Sequence, residues 1–207
     1  LQEQEQLDDI KAFWNQYGYL VTWTLTLALL LYAGWAGWNW WQRDQALKAG
    51  AMFEELDRAA TAGDADKAAR VFNDLKDRYA RTAYAQQGGM LAARLQFDKG
   101  QLEPARASLA WVAGSAVEEE YRQLAHLRLA GLDLDAKKYD DALKHLAAVT
   151  LPAFAHLAAD RRGDVLAAQG QRDQAKAAAQ SAWAAMDARN DYRPLVEAQL
   201  PALGASP

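Results

Sequence analysis

The chain has 207 residues, of which 51% are hydrophobic, with 5 Pro, 13 Gly and no Cys; this suits one anchor plus one helical domain large enough to bury a core. Without cysteine there are no disulfides, no thiolate metal sites and no cysteine nucleophile. The formal net charge of -4 is concentrated at the start, where Glu3, Glu5, Asp8 and Asp9 face Lys11 alone, so the remainder is near neutral and argues against phosphate-backbone binding.

Residues 1–16 read as a short N-terminal segment, and 17–41 as a transmembrane signal anchor. No charge occurs from Ala12 to Gln42. The apolar heart from Tyr19 to Trp41 is about 34 Å long as a helix, enough to cross a hydrocarbon core of about 30 Å. Trp14, Tyr17 and Tyr19 mark one end and Trp38, Trp40 and Trp41 the other, as expected of rings at two headgroup interfaces. Thr22, Thr24 and Thr26 are tolerable in lipid if their hydroxyls return to the helix backbone. A cleaved signal would be shorter and begin with basic residues, so the span reads as retained. Counting Lys and Arg, with Lys11 before the span and Arg43 and Lys48 after it, leans toward a cytoplasmic C-terminal side.

Residues 42–62 read as a juxtamembrane helix, 63–200 as a repeat domain and 201–207 as a loose tail. Helices are expected near 43–61, 64–79, 82–99, 102–113, 116–136, 139–149, 153–169, 171–189 and 192–200. Turn residues recur at Gly63-Asp64, Lys99-Gly100, Lys137-Lys138 and Gln169-Gly170-Gln171. The helices that follow align on Ala68, Ala105, Ala142 and Ala175, separated by 37, 37 and 33 residues. A period near 34 is the mark of stacked helical hairpins of the tetratricopeptide (TPR) type. The expected fold class is therefore all-α: one transmembrane helix followed by a TPR-like right-handed α-solenoid of about four helical hairpins.

Twelve residues before three of those alanines stand Ala93, Ala130 and Gly163, small enough for the two helices of a hairpin to cross closely. Leu56 breaks the rule in the first repeat, as a terminal repeat is allowed to do. Four residues after each aligned alanine, Phe72, Leu109, Leu146 and Ala179 share a face that should fill the gap to the next repeat.

No catalytic constellation is present: there is no Ser nucleophile elbow, no Gly-rich phosphate loop and no HExxH. His126, His145 and His156 read as scattered structural residues, without metal-ligand spacing. Glu118-Glu-Glu120 reads as the acidic opening of a helix, favoured by its dipole. Arg162-Gly163-Asp164 reads as a helical segment whose two charges make local ion pairs. No cofactor and no metal are expected. The first helix of each TPR hairpin lines the concave face. Counted from the crossings, a partner-binding groove would include Gln87, Met90, Arg94 and Asp98, then Leu124, Leu127, Gly131 and Asp135, then Leu157, Asp160 and Asp164.

Over essentially its whole length the chain resembles the ancillary SecYEG translocon subunit family, the YfgM-like TPR proteins. The resemblance rests on Glu3-Gln-Glu5, Ile10-Lys-Ala-Phe-Trp14, the Trp-rich span, Tyr79-Ala-Arg-Thr-Ala-Tyr-Ala85, Leu127-Arg-Leu-Ala130, Tyr139-Asp-Asp-Ala-Leu143, Phe154-Ala-His-Leu157 and Arg162-Gly-Asp164 with Gln169-Gly170. It implies a non-enzymatic, single-pass protein of the bacterial inner membrane, with its N-terminus cytoplasmic and its TPR domain periplasmic. That orientation is opposite to the lean of the charge count. It also implies association with the Sec translocon, with a membrane-anchored PpiD-like chaperone, and with periplasmic chaperones or unfolded client peptides. The alternative is a TPR scaffold for another envelope complex, in cell division or outer-membrane assembly.

Overall fold

The computed structural model describes residues 2–186 and 191–204, with the side chains of residues 2–10 and 12 outside the described set. Among the described residues the chain is all-helical, with no strand. It divides into two compact units, residues 1–47 and 48–207.

The first unit lies within α1 (Gln2–Thr61). Helix α1 contains a window of mean hydropathy 1.5, none of it buried. Leu29, Leu30, Leu31, Tyr32 and Trp35 are all exposed, so the helix is apolar around its whole circumference. Its three threonine hydroxyls donate to the carbonyls one turn back, Thr22 to Gly18, Thr24 to Leu20 and Thr26 to Thr22, each at 2.8 Å. That satisfies the three threonine hydroxyls within the span.

In the second unit the C-terminal part of α1 pairs with α2 (Ala65–Tyr79). Next come α3 (Ala83–Asp98) with α4 (Leu102–Ser115), α5 (Glu119–Asp135) with α6 (Tyr139–Ala147), and α7 (Ala155–Ala168) with α8 (Arg172–Ala184). A 3-10 turn at Pro152–Phe154 leads into α7; α9 (Arg193–Gln199) and a second 3-10 turn at Leu200–Leu203 follow. Four hairpins and a short capping helix match the expected class.

The aligned alanines sit where the period places them. Ala68 is 1% exposed, and Ala105, Ala142 and Ala175 are 0% exposed. Ala93, Ala130 and Gly163 are buried opposite them. A Cβ on Gly163 would lie 3.4 Å from the Ala175 carbonyl oxygen, so backbone nearly meets backbone at that crossing. Phe72, Leu109, Leu146 and Ala179 are buried as well. Gly88 and Gly89 add a tight contact that the repeat spacing does not announce. A Cβ on Gly89 would come within 2.5 Å of Val112 Cγ2, and one on Gly88 within 2.8 Å of Leu75 Cδ2.

Each hairpin turns through one residue in the left-handed region: Gly63 (φ 70°), Gly100 (φ 72°), Lys137 (φ 58°) and Gly170 (φ 79°). At every turn two amides return to the preceding helix, as when Asp64 N–H donates to Ala59 O and Gly63 N–H to Ala60 O. The same pair recurs at Gln101 and Gly100, at Lys138 and Lys137, and at Gln171 and Gly170. These are Schellman closures, which satisfy the last carbonyls of the first helix and reverse the chain.

Three expectations need correction. The helix expected from 116 begins at Glu119, because α4 runs on to Ser115 and Ala116 turns extended (ψ 138°). The helix expected to reach 189 ends at Ala184, where the chain bends so that Met186 packs against Ala182 and Val196; its positions 187–189 lie outside the described residues, as do 205–207 of the tail. Arg162 and Asp164 lie in α7 as expected, but among the described residues neither reaches an opposite charge at ion-pair distance. On a helix, residues two apart point in different directions.

Lys137 is the one described non-glycine residue held at positive φ, a strained place for a side chain with a Cβ. Lys137→Gly is expected to raise stability by about 0.5–1 kcal/mol, read as a higher midpoint in chemical unfolding followed by circular dichroism.

Candidate partner-binding groove

A groove of 360 Å³ opens across α3, α5 and α7. Its apolar wall comes from Phe97, Leu109, Leu124, Leu127, Leu132 and Leu157, and its charged groups are Arg94, Arg128, Arg161, Asp135 and Asp160. Tyr192, just before α9, closes one end. The groove exists because Ala93, Ala105 and Gly131 withhold side chains from the space they border.

Of the residues placed on this face from the repeat register, Arg94, Leu124, Leu127, Gly131, Asp135, Leu157 and Asp160 line the groove. Gln87, Met90, Asp98 and Asp164 do not. Met90 is buried among Leu109, Val112 and Leu129. Asp98 is an exposed partner of Arg94 at 3.9 Å. Asp164 is half-buried beside the groove. Phe97, Arg128, Arg161 and Tyr192 were not anticipated. Arg128 and Arg161 share one register, each two residues before a crossing residue (Ala130, Gly163), and that repetition is a signal the sequence carried.

The charges are unequally satisfied. Tyr192 donates its hydroxyl to Asp160 Oδ2 at 2.7 Å. Burial and this bond push the tyrosine up to about 12. Burial, together with the nearby Asp160 charge, raises Asp164 above the ordinary carboxylate value. Burial and the neighbouring Arg94 lower Arg128 from its ordinary value.

Behind the groove lies a buried polar row. Asp133, 1% exposed, meets Arg106 Nη1 at 2.7 Å and His145 Nε2 at 3.5 Å. His145 and His126 bring their Nδ1 atoms to 3.0 Å. The expectation of scattered histidines is therefore wrong for this pair: α5 and α6 run antiparallel, and the chain between two positions 19 apart folds back on itself. With Nε2–H of His145 toward Asp133, its Nδ1 accepts from Nδ1–H of His126. Among the described residues no group of three potential metal ligands converges.

Two glutamines pin the repeat loops. Gln123 Oε1 accepts from the backbone N–H groups of Thr150 and Leu151 at 2.9 and 2.7 Å. Gln86, one period earlier, accepts from Glu118 N–H at 3.2 Å.

Residues 11–205 match the tetratricopeptide repeat-like domain. The chain belongs to that family. It is also similar to curated proteins named ancillary SecYEG translocon subunit. The one from Neisseria gonorrhoeae is 29% identical over 179 residues, 84% of each chain. The one from Escherichia coli is 27% identical over 88% of this chain and 86% of the relative, and the one from Aggregatibacter actinomycetemcomitans 25% identical over 88% and 89%. No solved structure matches. With one long apolar helix among its described residues, this member of the family is a membrane-anchored protein.

His126 gives the family fold a pH dependence here. Burial, and next the His145 charge, lower it from 6.5 in the folded chain. The unfolded chain therefore takes up this proton first, so the stability it contributes is present above about pH 6.5 and is lost as pH falls toward the folded value. Asp164 acts in the opposite sense at lower pH, because its raised value favours the folded state as it protonates. The unfolding midpoint is expected to drop between about pH 7 and pH 5, and the drop to be shallower in His126→Gln. A thermal melt series across that range checks it.

Proposed function

We propose that this protein is a non-catalytic adaptor that associates with the Sec translocon, its TPR domain on the periplasmic side of the bacterial inner membrane. The groove would hold segments of periplasmic chaperones, a PpiD-like membrane-anchored chaperone among them, or of clients emerging from the channel. The observation that carries this reading is the similarity to proteins named ancillary SecYEG translocon subunit across 84% or more of both chains.

The geometry supports the adaptor half of the proposal. The groove is concave, apolar along its wall and charged at its rim, which suits an extended segment or a partner helix. Among the described residues that line it, none forms a nucleophile–base pair. The N-in orientation follows from the resemblance and runs against the small excess of Arg43 and Lys48 over Lys11; few charges flank the span, so that excess is a weak determinant.

Affinity capture of the tagged protein from membranes in mild detergent tests the association. Translocon subunits are expected to co-purify, and their absence contradicts the proposal. Protease added to spheroplasts is expected to degrade the TPR domain, and to leave it intact in whole cells. Resistance in spheroplasts places the domain in the cytoplasm and removes the periplasmic role.

A further inference from the structure

Among the described residues Arg128 is a cation of the groove without an ion-pair partner. Arg94 has Asp98 at 3.9 Å, in a loose exposed pair. Arg161 lies in the field of Asp164. Asp160 is engaged by the Tyr192 hydroxyl, and Asp135 is exposed at the end of α5. Among the described residues no carboxylate stands within ion-pair distance of Arg128, and the charge that acts on it is the like charge of Arg94. Arg94 and Arg128, both exposed to water, thus line one stretch of a concave surface. An anion brought there relieves their repulsion and gains charge-assisted hydrogen bonds.

The surroundings narrow what carries that anion. Phe97 lines the same groove and is 47% exposed, a large aromatic face left to water. Leu124, Leu127 and Leu157 continue the apolar surface. A small inorganic anion would leave that surface wet. A chain that presents a carboxylate between apolar side chains covers both features at once.

Resting on the groove reading, we propose that the groove selects peptide segments in which an acidic residue is flanked by apolar ones. The carboxylate seats against Arg128 and Arg94, and the apolar neighbours cover Phe97 and the leucines. The charge complementarity is local. Beyond it, Asp160 and Asp164 make the Tyr192 end of the groove unfavourable for a second acid, so one acidic residue in an apolar context fits better than an acidic run.

The test uses the full-length protein in lipid nanodiscs and three dye-labelled peptides with one apolar frame. They differ at a single central position, which is Glu, Gln or Lys, and binding is read by fluorescence anisotropy. The Glu peptide is expected to bind about tenfold more tightly than the Gln peptide, and the Lys peptide most weakly. Raising the salt should shrink the Glu advantage. Arg128→Gln should remove most of that advantage and leave the Gln peptide's affinity unchanged, and Arg128→Lys should restore part of it. Arg78→Gln, at an exposed position of α2 outside the groove, should alter neither, and circular dichroism reports whether each variant is folded. Equal binding of the three peptides, or a Glu advantage that survives Arg128→Gln, overturns the charge selection and leaves the groove reading standing. Absence of binding by all three overturns the groove reading, and this inference with it.

Discussion

The close crossing of two helices at a pair of small residues is the contact on which the rest of the domain depends. At Gly163 and Ala175 the backbones approach until a single Cβ would reach a carbonyl oxygen at 3.4 Å. Ala130 and Ala142, both 0% exposed, lie in one core cluster of the third hairpin. Once the crossing distance is set, the apolar residues one turn further along, such as Leu109 and Leu146, reach the neighbouring hairpin and bury themselves there. Each hairpin cannot bury its own apolar face, so stacking is what stabilises it. The groove is a by-product of the same geometry: first helices side by side, with small residues holding their spacing.

The repeats vary around this frame in an ordered way. Ser108 donates to Gln96 Oε1 at 2.9 Å inside the second hairpin. One period later the same two positions are His145 and Asp133. A neutral hydrogen bond has become a charged network that extends to Arg106 and His126. Such a buried pair contributes less to stability than its charges suggest, since desolvation offsets attraction; removing one partner costs far more. The terminal repeat is finished differently. Arg193 lies 4.2 Å from the Trp183 ring, Trp183 donates to Glu197 at 2.9 Å, and Lys176 to the Gly204 carbonyl at 2.6 Å. These contacts let α9 cover the last hairpin with a polar outer surface, as a cap must.

The frame was legible because it depends on residue size and on turn chemistry at a fixed interval. Ala68, Ala105, Ala142 and Ala175 announce the period, and Gly63, Gly100 and Gly170 announce the turns; Lys137 obeys the same backbone rule without the usual residue. The anchor was legible because 31 uncharged residues, from Ala12 to Gln42, leave few other solutions. The groove was only half legible. Register says which face of a helix looks inward, but not how far a long side chain reaches along it. Arg128 and Phe97 arrive from positions offset from the inward row, while Met90, on that row, is drawn into the core. The histidine pair was missed for a related reason: contacts between antiparallel helices depend on where the turn falls, and one residue either way would part the rings. The repeat spacing gives no role to Gly88 and Gly89, and only packing reveals that Leu75 and Val112, respectively, need their space.

The most direct measurement compares Ala142→Leu with Ala147→Leu in the full-length protein by urea unfolding. Position 142 is a crossing and 147 is an exposed site on the same helix. Overpacking at the crossing should lower stability by about 1–3 kcal/mol, while the exposed change leaves it within about 0.5 kcal/mol. If the two variants unfold at the same denaturant concentration, the small-residue crossing does not set the stack.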